Sequence, residues 1–180
     1  MQSLAALHRS EHVHALLQEP FRPAWTAELT EAAVRVLDPQ QREQAARALE
    51  RLRLEADAWL TGDVLVSADP NPGNWALRDD GAVVLLNWER IGLSTPTVDV
   101  AITVPGLPTR DQLELTTEAY LGVQRRDVVP WSNEQFTRGL AVVKAWTCVE
   151  LLAEQRDGPG SDGTRRRLAA DLPAWVAAIP

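Results

Sequence analysis

The chain has 180 residues, of which 45% are hydrophobic and 24% charged, and a net charge of −7. A single domain of this size can bury a sizeable core, roughly 70% of its unfolded surface, and the acidic balance argues against a nucleic-acid partner, which would want a basic face. One cysteine, Cys148, excludes an internal disulfide; with no signal peptide and no run of 18 apolar residues, the expectation is a cytoplasmic protein with no membrane partner.

Residues 3–18 read as a first helix, with Leu4, Leu7 and Glu11 on one face. Its His8 and His12 are four apart, a spacing that can seat a metal, but no carboxylate or cysteine cluster accompanies them. They read, with His14, as solvated or packing histidines. Residues 27–37 give a second, weaker helix. Asp38-Pro39-Gln40-Gln41 opens a third, with Asp at the N-cap, Pro at the first helical position and Gln completing a capping box. Its stripe of Ala45, Leu49, Leu52, Ala56 and Trp59 follows the 3.6-residue period. Gly62 ends it and a strand follows at 64–66.

Next come Asp69, two prolines, Gly73 and Asn74, then two short strands, 75–78 and 82–87, around the turn Asp79-Asp80-Gly81. Val83-Val84-Leu85-Leu86 is apolar on both faces and reads as buried, holding Asn87 rigidly. Beyond the hairpin, 110–121 is an amphipathic helix. Ser132 with Gln135 caps the next one, and 140–152 is apolar nearly all round, which marks a central core helix. Residues 157–163 form a Gly-rich loop and 164–178 a last helix. The seven tryptophans read as mostly core, and Arg165-Arg166-Arg167 as a solvated helix face.

The stretch around Asp69 is where chemistry concentrates. Phosphoryl transfer from ATP asks for a carboxylate that accepts a hydroxyl proton, an amide oxygen that holds a metal, and a further oxygen ligand on the next strand. Asp69, Asn74 and Asn87 occupy those places. A base must come within roughly 2.6–3.2 Å of its proton's carrier; Pro70, Pro72 and Gly73 make a bend tight enough to hold base and ligand on one reaction line.

Ser67-Ala68-Asp69-Pro70-Asn71-Pro72-Gly73-Asn74 followed by Leu86-Asn87-Trp88-Glu89 resembles the loop of the aminoglycoside phosphotransferase and choline kinase family, whose pattern is His-Gly-Asp-x-His-Pro-Gly-Asn and then Ile-Asp-Trp-Glu. Pro96-Thr97-Val98-Asp99-Val100-Ala101 resembles the family's Pro-x-x-Asp-Leu-Ala, and Leu4-Ala5-Ala6-Leu7-His8 its Leu-x-x-Leu-His. The resemblance implies that Asp69 is the catalytic base, Asn74 and Asn87 the metal ligands, Ser67 and Asp99 supports of the loop, and Trp88 a packing residue. It implies an α+β, predominantly helical fold like the C-terminal lobe of protein kinases, with a catalytic-loop β-hairpin and the N-terminal lobe missing. One domain is expected over 1–180, with the catalytic-loop region at 64–101 and a helical part at 109–180.

Three departures bear on activity. Asn87 stands where the family has Asp, so one full charge is missing from a site for Mg²⁺, which prefers charged oxygens. Ser67 and Asn71 replace the two histidines. No Gly-rich phosphate loop occurs anywhere, and the only lysine, Lys144, lies inside an apolar helix. The expectation is therefore a degenerate lobe, a pseudoenzyme or binding module. The other reading is an ATP- and Mg²⁺-dependent transferase acting on a small-molecule hydroxyl, its nucleotide lid supplied by another chain or by upstream sequence. The resemblance leaves the acceptor open; the acidic balance and Glu89, Glu150 and Glu154 suit a cationic one. The face of the hairpin and first helix toward the missing lobe is expected to be apolar, covered by self-association or by a lobe-supplying partner.

Overall fold

The structure is a computed structural model that describes residues 1–10, 17–124, 127–154 and 161–179, with Ser161 and Asp162 in their backbone only. Among these residues seven α-helices and four short strands follow one another: α1 Gln2–His8, α2 Ala27–Arg35, α3 Arg42–Leu60, β1 Val64–Val66, β2 Trp75–Leu77, β3 Val83–Leu85, β4 Gly92–Ser94, α4 Thr97–Thr103, α5 Arg110–Leu121, α6 Asn133–Ala153 and α7 Ser161–Ala178. The architecture is mostly helical with two small antiparallel sheets, β1–β4 and β2–β3. Among the described residues no helix is long and apolar enough to cross a membrane.

The expected core helix is the hub. From Phe136 to Leu152, α6 buries most of its circumference, and it packs against α2, α3, α4, α5 and α7. A helix apolar on every side has to be surrounded. The capping box of Ser132 and Gln135 starts it as expected, and a second box, Thr109 with Gln112, starts α5. All five residues of the stripe on α3 are buried.

The helix boundaries needed correcting. The first helix ends at His8: residues 9, 10, 17 and 18 of the 3–18 prediction are not helical, and 11–16, with His12 and His14, lie outside the described residues. Asp38 does not cap α3. Its carboxylate takes the Gln40 amide at 2.8 Å and its carbonyl the Gln41 amide at 2.9 Å, so Asp-Pro closes a turn and the helix starts at Arg42. Arg42 then turns back to the C-terminus of α2, donating to the carbonyls of Arg35 and Leu37. The last helix begins at Ser161, inside the predicted loop, of which 157–160 lie outside the described residues.

The largest error concerns the hairpin. Its turn and register are as read, Trp75 opposite Leu85 and Leu77 opposite Val83, but the ribbon is not buried. Val83, Leu86 and Leu77 are 52%, 50% and 73% exposed, and Trp88 is exposed rather than packed. Among the described residues no third strand joins this ribbon, and an apolar run on both its faces stays partly wet: Val83 and Leu86, which point to opposite faces, are exposed, and Val84 and Leu85 between them are half-buried. Three tryptophans, Trp25, Trp59 and Trp146, are buried; Trp75, Trp131 and Trp175 are half-buried.

The other sheet anchors the loop. β1 pairs with β4, Val64 opposite Ser94, and the extended Phe21 joins the edge of β4 through Phe21 N–H to Ile91 and Leu93 N–H to Phe21. Gly92 permits this: a Cβ there would lie 1.9 Å from the Phe21 carbonyl oxygen. At the end of β4 and just beyond it, the hydroxyls of Ser94, Thr95 and Thr97 bond to the last carbonyls of α3, at Leu60 and Trp59, groups a helix end would otherwise leave orphaned.

Candidate functional site

β1 delivers the chain into Ser67, Ala68 and Asp69, and the segment turns sharply. Ala68 sits at φ +56°, in the left-handed region, where a residue with a Cβ costs about 1–2 kcal/mol. What holds it there is Asp99, fully buried in the first turn of α4. Asp99 Oδ2 accepts the Ser67 N–H at 2.9 Å and Oδ1 the Ala68 N–H at 2.7 Å. Hydrogen bonds to a charged acceptor contribute about 1.5–3 kcal/mol each, so two of them outweigh the strain. Asp69 N–H reaches Ser67 Oγ at 3.4 Å, a weak contact.

The side chain of Asp69 meets three carboxamides. Asn71 Nδ2 donates to Oδ1 at 2.6 Å, Asn74 Nδ2 to Oδ2 at 2.8 Å, and Asn87 Nδ2 to Oδ2 at 3.4 Å. Asn74 Nδ2 also bonds the Asp69 carbonyl at 2.7 Å. The bend between them is braced by Asn71 Oδ1 on the Gly73 amide (3.0 Å) and by the Trp75 indole on the Pro70 carbonyl (2.9 Å). Across the ribbon, the Leu86 amide bonds the Asn74 carbonyl at 2.7 Å, which brings Asn87 over the loop. Asn87 is itself at φ +58°, a conformation that asparagine tolerates better than most side chains.

Asp69, Asn74 and Asn87 therefore converge, and Ser67 and Asp99 lie behind them. A cation placed here would find one carboxylate, Asp69, toward which Asn74 and Asn87 turn their amide nitrogens. Among the described residues no three His, Cys, Asp or Glu side chains gather around one point.

Asp69 and Asn71 line a cavity of about 1070 Å³, walled by Arg90, Lys144, Glu150 and Trp175 among others. Of the three glutamates read as suited to a cationic acceptor, Glu150 and Glu154 line it and Glu89 does not. Glu150 is not free: Arg90 Nη2 lies 3.0 Å from both its oxygens, and the Arg90 guanidinium stacks on Phe21 at 4.4 Å. Burial raises the Glu150 carboxyl above its ordinary value, with Arg90 offsetting part of that. Lys144 is buried and donates to the carbonyls of Ala101 and Val104 at the end of α4, and its desolvation lowers its affinity for a proton. A second cavity, about 950 Å³ between α5, α6 and the end of α7, is lined by no residue of the loop.

The sequence reading missed how His8 is used. Rather than solvated or merely packed, it is 5% exposed and contacts Asp99 at 3.0 Å and the Tyr120 hydroxyl at 2.6 Å. Its place in Leu4-Ala5-Ala6-Leu7-His8 was the available signal. Tyr120 and Gln124, on and just after α5, carry none. Asn71, too, bonds the carboxylate directly as well as shaping the bend.

Against known proteins, the model of the Phosphotransferase enzyme family matches residues 1–132. That span contains His8, the Asp69 loop, the hairpin and Asp99. No curated protein and no solved structure matches the chain.

Proposed function

The chain belongs to the Phosphotransferase enzyme family, and we propose that it is a kinase-like C-terminal lobe whose phosphoryl-transfer centre is degenerate, acting as a binding module for a small hydroxyl-bearing molecule. The observation that carries this reading is Asn87. A hard dication such as Mg²⁺ is held by one or two carboxylates together with phosphate oxygens. Here the second carboxylate is a neutral amide, and its nitrogen is turned toward Asp69 at 3.4 Å. The donor set fits Mg²⁺ poorly. The cavity at Asp69 is the place for the small molecule.

A second reading has its own support. The chain holds Ala68 in a strained conformation against the buried Asp99, and strain persists only where surroundings over-determine it. On that reading the chain is an ATP-dependent phosphotransferase. There Asp69 would accept the proton of the acceptor hydroxyl, Asn74 and Asn87 would be the residues to hold Mg²⁺, and the nucleotide lid would come from another polypeptide or from preceding sequence. The exposed cross-strand pair Leu77 and Val83, on one face of the ribbon, offers such a partner, or a second copy, apolar surface.

Calorimetric titration with Mg²⁺ and with Mg-ATP, on the chain and on Asn87→Asp, separates the two. The degenerate reading expects no micromolar Mg-ATP binding by the chain and a gain of metal binding in Asn87→Asp. Micromolar Mg-ATP binding by the unmutated chain overturns it in favour of the transferase.

A further inference from the structure

Behind the loop, a file of hydrogen bonds runs inward from the surface, and its direction can be read off. Arg9 Nη1 donates to Gln124 Oε1 at 3.1 Å. The other end of that carboxamide, Nε2, faces Tyr120 and donates to the phenol oxygen at 2.9 Å. A phenol carries one proton, and with its oxygen accepting from Gln124 that proton closes the 2.6 Å contact to His8 Nδ1. Nδ1 is then an acceptor, the ring proton sits on Nε2, and Nε2 donates to Asp99 Oδ2 at 3.0 Å.

The opposite arrangement fails on satisfaction. With a proton on Nδ1, the phenol would receive two donors and its own hydrogen would find no acceptor among the described residues. Tyr120 is fully buried and His8 5% exposed, so no solvent makes good the loss. Asp99, for its part, receives three N–H groups: His8 Nε2 and the amides of Ser67 and Ala68. The file thus joins α1, the end of α5 and the start of α4 to the two backbone amides just before Asp69.

We propose that His8 is a positioning residue for Asp69: held as the Nε2–H tautomer by Tyr120 and Gln124, it fixes the Asp99 carboxylate that clamps Ser67 and Ala68. The inference rests on Asp69 being the carboxylate that acts in this site. A purely packing histidine would satisfy the edge-to-face contact with the Tyr120 ring, 5.7 Å between centroids, but would need neither a defined tautomer nor any link to the loop amides.

The test uses the whole chain, isotope-labelled. Long-range proton–nitrogen spectra assign the His8 tautomer, and amide exchange compares Ser67 and Ala68 with buried amides of α6. The expected results are the Nε2–H form in the unmutated chain, and exchange at Ser67 and Ala68 about tenfold faster or more in His8→Ala while α6 is unchanged. In His8→Gln, whose carboxamide again offers Asp99 a donor, most of the protection returns. Tyr120→Phe keeps the ring in the core, leaves Nδ1 without its partner so that the imidazole is no longer held from both sides, and loosens the same two amides; it carries the test if His8→Ala does not fold. An Nδ1–H histidine in the unmutated chain overturns the proposal. So does exchange at Ser67 and Ala68 that follows α6 in Tyr120→Phe and in every His8 variant that folds. Neither result alters the Mg-ATP titration, so this inference and the functional reading fail separately.

Discussion

Asn87 Nδ2 lies 3.4 Å from Asp69 Oδ2, the longest of the three amide contacts to that carboxylate. The amide substitutes for a charge and at the same time avoids a repulsion, because an aspartate at this place would set two carboxylates against each other. Asn87 is solvent-exposed, so screening limits the penalty to roughly 1–2 kcal/mol. Asn87→Asp is expected to melt lower than the unmutated chain in chelator and to recover in millimolar Mg²⁺, whereas the unmutated chain is indifferent to the ion. Equal melting of the variant with and without Mg²⁺ would mean that the missing charge is not what keeps metal out.

Gly139 faces Trp59 where α6 crosses α3. A Cβ at 139 would lie 2.5 Å from Trp59 Cε3, and the indole cannot retreat, since it is 9% exposed and packs on Trp131 with ring centroids 5.3 Å apart. Helix propensity favours alanine over glycine by about 1 kcal/mol, but overpacking a core costs about 1–3 kcal/mol, and here the steric term wins. Gly139→Ala should therefore lower the unfolding free energy in urea, by about 1 kcal/mol. A stabilised variant would show that the helix pair can spread at no cost.

Cys148 lines the wall of the cavity at Asp69 yet is only 5% exposed. Burial pushes its thiol up to about 11, despite the opposing pull of Lys144. Only the thiolate attacks a disulfide reagent, and at pH 8 such a thiol is roughly 0.1% ionised. Reaction with an aromatic disulfide reagent should be slow in the folded chain, and one thiol per chain should appear at once in denaturant. Rapid native-state labelling would mean the cavity opens to the reagent.

Glu150 gives a pH dependence whose sign is fixed by burial. Its folded-state affinity for a proton is raised above the ordinary 4.5, the Arg90 pair notwithstanding. As pH rises through 4.5 the unfolded chain releases this proton first, so folding loses stability until the folded value has also been passed. Glu150→Gln cannot lose that proton and keeps an acceptor for Arg90. Its stability relative to the unmutated chain should improve as pH rises from about 4 and level off above the folded value. An advantage that moves the other way would make the ion pair, not desolvation, the dominant contribution.

Local chemistry was legible wherever a short stretch settles its own geometry. The capping residue Ser132, the 3.6-residue stripe on α3, the hairpin turn at Asp79-Asp80-Gly81 and the all-round apolar α6 follow from spacing, and the structure has them. The convergence of Asp69, Asn74 and Asn87 was legible through the Pro-Gly bend and the hairpin register, both of them local. Asp38-Pro39 was misread because the same residues cap a helix or close a turn, and only the neighbouring α2, capped by Arg42, decides between them.

What the amino-acid order determined by itself was which residues meet within a turn or a ribbon, since caps, bends and register are set over a few bonds. What tertiary structure decided was which faces find a partner. The apolar β3 stays half-exposed because none of the described elements covers the ribbon, and His8 becomes part of the loop's support because folding brings it to Asp99, 91 positions away. Burial and long-range hydrogen bonding depend on what folding places alongside a residue, and residue spacing carries no record of that.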